Sequence, residues 1–99
     1  MNILAINTAT LVAKENISQL IFPKSDVLLS ELKQSERQRR VVRAMKLGNN
    51  KKHKVKIIFE DLDGLKKVDT TIWGVTEKNV ILKRGVLIPI QRVHEIKFY

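Results

Sequence analysis

The hydrophobic period of the chain changes once, between Leu47 and Val55, and that change decides the fold class. From Val27 to Leu47 no residue breaks a helix, and Leu28, Leu32, Ser35, Val42 and Met45 recur near helical spacing. From Lys54 onward the pattern alternates. In KVKIIFED, Val55, Ile57 and Phe59 point one way and Lys56, Ile58 and Glu60 the other, as in a strand with one well-buried face. A helical segment followed by strands predicts an α+β fold: a basic helix, then a compact antiparallel β meander or small SH3-like barrel.

The helix is expected over residues 25–48. Pro23 ends what precedes it, and Ser25 or Asp26 is a suitable N-cap, because a side-chain oxygen there can accept from a first-turn amide. Gly48 and Asn49 form a natural stop. The β unit is expected over residues 54–99. Asp63 and Gly64 turn the chain, and LKKVDTTIWGVT is a long strand in which Ile72 and Trp73 face opposite sides. Gly74 then allows a bend or bulge. Glu77–Asn79 makes the next turn, Val80–Lys83 a short strand, and Arg84 with Gly85 another turn. Pro89 marks an edge or a strand end, because it has no amide to donate. Gln91–Val93 fits a single helical turn, and Glu95–Phe98 a closing strand. Residues 1–24 fit neither period, and their structure is left open.

These 45 or so C-terminal residues resemble the small SH3-like or Sm-like barrels: a strand, a DG turn, a bent strand with WG, NVIL, an RG turn, then IPIQRVHEI. The NVIL strand and the Arg84–Gly85 turn are similar to pieces of the two Sm motifs, where such positions help bind uridine-rich RNA. The long separate fourth strand of that family is absent and the acidic residue before the Asn is displaced, so neither Asn79 nor Arg84 is carried over as an RNA ligand. A barrel of this size is near the lower limit for a self-sufficient core. It needs cover, which Leu28, Leu32, Val42, Met45 and Leu47 of the helix could supply.

Length allows one domain: 99 residues, 43% of them hydrophobic and 29% charged, describe a folded chain. With no cysteine there is neither a disulfide framework nor a thiolate metal site. The N-terminal stretch has no basic region ahead of its apolar residues, and no run is long enough to span a bilayer, so a cytoplasmic protein with no membrane partner is expected.

The net charge of +9 is unevenly distributed. Residues 1–35 are neutral and residues 57–99 nearly so. Residues 36–56 carry nine Lys or Arg against Glu36 alone. On a helix, Lys33, Arg37 and Arg40 align at spacings of three and four, with Arg39, Arg43 and Lys46 in the adjacent row. Four of these nine cations are arginine, whose planar fork matches phosphate oxygens. The expected function is therefore nucleic-acid binding, to RNA or DNA, through Arg37, Arg39, Arg40, Arg43, Lys46, Lys51, Lys52 and Lys54. The plainer reading is a solvated helix face that maintains solubility. A rival from another class is a protein-interaction or homo-oligomeric assembly module, using an exposed strand edge or the apolar N-terminal segment.

Trp73 could stack a base, but a lone Trp beside Ile in a bent strand reads more readily as core. His53 and His94 have no metal-ligand spacing, and Asp63 already has a turn-forming reason to precede Gly64. The chain contains no phosphate-cradling Gly-rich loop, nucleophile elbow or zinc-protease motif. No catalytic residue, metal or cofactor is expected, and the chain is read as a non-enzyme.

Overall fold

The structure, a computed structural model, describes residues 8–99. Ile3, Leu4 and Ile6 of the apolar N-terminal segment lie outside the described residues. The elements are β1 (Thr10–Leu11), a 3₁₀ turn (Lys14–Gln19), α1 (Glu31–Lys51), β2 (Val55–Asp61), β3 (Gly64–Thr70), β4 (Ile72–Val75), β5 (Asn79–Leu82), a 3₁₀ turn (Lys83–Gly85), β6 (Leu87–Pro89), a 3₁₀ turn (Ile90–Arg92) and β7 (Val93–Phe98). The strands divide into a four-stranded sheet ordered β1-β3-β2-β7 and a three-stranded sheet ordered β4-β5-β6. All pairings are antiparallel except β1 with β3. The α+β meander is as expected, but the barrel is not closed.

Each turn follows from local chemistry. At the β2–β3 hairpin, Asp61 Oδ1 accepts from the amides of Asp63 and Gly64, both at 3.1 Å, and from Lys66 Nζ at 3.0 Å. Gly64 has φ +136°, a conformation that side chains disfavour. Thr76 Oγ1 accepts from the amides of Lys78 and Asn79 to build the next turn. The chain crosses between sheets at Thr71, three residues earlier than the bend expected near Gly74, and the register bulge falls between Ile72 and Gly74. The expected single helical turn before β7 spans Ile90–Arg92.

The helix begins later than its sequence suggests. Asp26 Oδ1 accepts from the Leu28 amide at 2.7 Å, and the Val27 amide donates to Gln91 O at 2.9 Å. Both contacts hold residues 26–28 in a turn tied to the sheet, so Ser30 is the N-cap, accepting from the Lys33 amide. Nor does the helix stop at Gly48. It runs to Lys51 and ends where Lys52 turns left-handed, φ 55°, with its amide on Gly48 O at 3.0 Å.

Gly48 is retained for packing: a Cβ there would lie 2.3 Å from Ile72 O and 2.9 Å from Thr71 Cγ2. The buried stripe of α1 is Arg37, Val41, Ala44 and Gly48, rather than one including Leu32, which is exposed. Val41 and Ala44 join Val55, Ile57, Phe59, Val68, Ile72, Val80, Leu82, Ile88, Val93 and Ile96 in one core. Ile17 of the N-terminal 3₁₀ turn is part of it, which gives residues 14–19 a packing role. Ile58, expected on an open face, is also buried, on the central strand of its sheet.

Candidate nucleic-acid interface

Burying the Arg37–Val41–Ala44–Gly48 stripe fixes which cations remain on the surface. Arg37 is on the buried side, 7% exposed. Its guanidinium makes two contacts to Asp26, Nη2 to Oδ2 at 2.7 Å and Nη1 to Oδ1 at 2.9 Å, and Nη1 also donates to Val93 O at 3.1 Å. Partial burial opposes ionisation of Asp26, but the hydrogen bonds from Arg37 and the Leu28 amide outweigh it and hold the carboxyl below its usual range. Arg37 is thus a structural clamp between the 26–28 turn, α1 and β7. The structure removes it from the set of phosphate ligands expected from sequence.

The other seven predicted cations are exposed, and they fall into three groups. Arg39, Arg43, Lys46 and Lys51 share a concavity of about 310 Å³ along the outer face of α1, floored by Val42 and Leu47. Arg43 rests its guanidinium 4.4 Å above the Phe98 ring, which orients the fork while leaving it in solvent. Lys52 and Lys54 continue the charge off the helix end. Arg40 points to a different cleft, of about 260 Å³, where it lies 3.9 Å from Glu95 beside Lys33, Glu36 and His94. That cleft carries both signs of charge and does not match a polyanion.

Among the described residues, Arg39, Arg43, Lys46, Lys51, Lys52 and Lys54 have no carboxylate within ion-pair distance. Two acids of β2 are engaged elsewhere: Glu60 faces His94 Nε2 at 2.8 Å and Arg92 at 3.6 Å, and Asp61 holds the hairpin. Tyr99 donates to Asp69, a bond that pushes the phenol up to about 12. From Arg39 to Lys51 the row covers about 18 Å of helix axis at 1.5 Å per residue.

Sequence reasoning missed two features. Trp73, read as core, is 48% exposed, because Ile72 takes the inward position. The only advance signal was its adjacency to Ile72 in a strand. Arg37 was misassigned although it shares the i, i+4, i+7, i+11 spacing of Val41, Ala44 and Gly48, which marks it as inward-facing.

No protein-family model matches the chain, and neither the curated proteins nor the solved structures contain a significant match to it. Among the described residues no helix is long and apolar enough to cross a membrane.

Proposed function

We propose that the protein binds nucleic acid through the outer face of α1, with Arg39, Arg43, Lys46 and Lys51 as the central phosphate contacts and Lys52 and Lys54 extending them. The observation that carries this reading is the row of unpaired cations in one concavity on a helix whose opposite stripe is locked against the sheets. A rigid scaffold lowers the cost of ordering long side chains on binding, and clustered unpaired cations release counterions from a polyanion. The meander with a one-turn helix before its last strand supports reading the β unit as an open relative of the small SH3-like barrels, with the helix as its binding surface.

The test is fluorescence anisotropy of labelled single-stranded RNA, single-stranded DNA and duplex DNA against wild type and a variant with Arg39, Arg43, Lys46 and Lys51 all changed to Gln. Unchanged circular dichroism with lost binding supports the proposal. Equal binding by both proteins means that the charge serves solvation, and the search moves to a protein partner.

A further inference from the structure

Trp73 follows directly on a stretch of chain that joins two cation-bearing elements. Just before that residue, the chain passes between two elements. On one side Ile72 O lies against Gly48, which is one helical turn from Lys51 and Lys52. On the other, Thr71 O accepts from the Lys83 amide at 3.0 Å, bringing in the exposed turn that follows β5. Trp73 itself lies in the bulge, where Ile72 pairs with Leu82 and Gly74 with Ile81, so it has no ladder partner of its own. Ile72 is fully buried and Trp73 points the opposite way, 48% exposed. The chain's only tryptophan is therefore exposed, one residue after the carbonyl that meets Gly48 and two after the carbonyl that holds the Lys83 amide.

An exposed indole gains little from the core, and water solvates its large apolar face poorly. Aromatic platforms flanked by cations are suited to a strand whose bases are unpaired: the backbone follows the charges while a base covers the ring. A duplex keeps its bases stacked on one another and offers no free face to the indole.

We infer that the ligand is a single strand, running from the Arg39–Lys51 row across Trp73 toward Lys83, with one base stacked on the Trp73 indole. This rests on the proposed function of the helix and specifies its substrate class. Lys83 is then a phosphate contact outside the helix. Because every base has a π face, the contact favours bases over their absence without selecting a sequence.

The experiment uses the full chain with three probes: a short oligothymidylate, an abasic phosphodiester strand of the same length, and a short duplex. Anisotropy measures affinity, and intrinsic fluorescence reports directly on Trp73. Oligothymidylate is expected to quench the tryptophan, and the abasic strand to leave it unchanged. Trp73→Ala should weaken oligothymidylate binding by about 5- to 150-fold, the usual worth of one base stack, and abasic binding hardly at all. Trp73→Phe, which keeps a ring, should fall between, and it covers the case in which the alanine variant folds poorly. If oligothymidylate and abasic strand bind alike, or the duplex binds more tightly than the single strand, stacking on Trp73 is overturned while the helix reading survives. If no probe binds, both fall.

Discussion

Replacing Gly48 by Ala should destabilise the protein, against the ordinary expectation for a glycine inside a helix. Helix propensity alone favours Ala over Gly by about 1 kcal/mol. At Gly48, however, the new Cβ would lie 2.3 Å from Ile72 O and 2.9 Å from Thr71 Cγ2. The first is a backbone atom of β4, which cannot rotate away as a side chain can. Relief requires α1 and β4 to separate by roughly 1 Å, opening the seam where Val41 and Ala44 reach the core. Overpacking of this kind costs about 1–3 kcal/mol and sometimes more, and a backbone clash belongs at the upper end. Set against the propensity gain, the net loss is about 2 kcal/mol, or a fall in Tm of about 8–16 °C for a domain of this size. Urea and thermal melts followed by circular dichroism measure it. Gly74→Ala is the control, because its Cβ would meet Ile81 Cδ1 at 3.4 Å, an ordinary contact, and the change should stay within about 1 kcal/mol. A Gly48→Ala protein more stable than wild type would show that the helix does not cross β4 as closely as described.

Two other predictions concern carboxylates that hold turns in place. Asp26→Ala leaves the nearly buried Arg37 guanidinium without its counter-charge and should cost about 3 kcal/mol in a urea melt. The folded-state pKa of Asp26 lies below its ordinary value of 3.8, so its contribution is present above pH 3.8 and is lost as the pH falls through the depressed value. Wild type should therefore lose stability on acidification below about pH 4 more steeply than Asp26→Asn, and parallel acid profiles would contradict the clamp. Asp61→Ala removes the acceptor for two turn amides and Lys66, and should cost about 2 kcal/mol with local loss of amide protection at Asp63 and Gly64.

The parts of this fold that can be read from sequence are those whose causes are local. Asp63–Gly64, Arg84–Gly85 and Pro89 each act within a few residues, and their turns and strand end fall where residue type alone places them. The helix start does not, because Asp26 is drawn away from capping by Arg37, eleven residues later, and Val27 by the Gln91 carbonyl. Gly48 resembles a stop signal until the Ile72 carbonyl is seen against it. The same distinction governs the candidate site. Charge density is visible in the sequence, but only the crossing of α1 over the sheets shows that Arg37 turns inward and Arg40 toward Glu95, while Arg39, Arg43, Lys46 and Lys51 stay together. Alternation places Ile72 and Trp73 on opposite faces, but it cannot say which face is covered.

Salt dependence of binding to a single strand tests the central claim most directly. If about five of the six unpaired cations meet phosphates, log K should fall with log salt at a slope of roughly −3.5. Changing Arg43 to Gln should make that slope shallower by about 0.7. Changing Arg37 to Gln should leave it as in wild type while lowering stability, because that guanidinium is held by Asp26 and Val93. A wild-type slope near zero, or a slope that Arg37→Gln changes as much as Arg43→Gln does, would contradict the assignment of the outer helix face as the phosphate-binding surface.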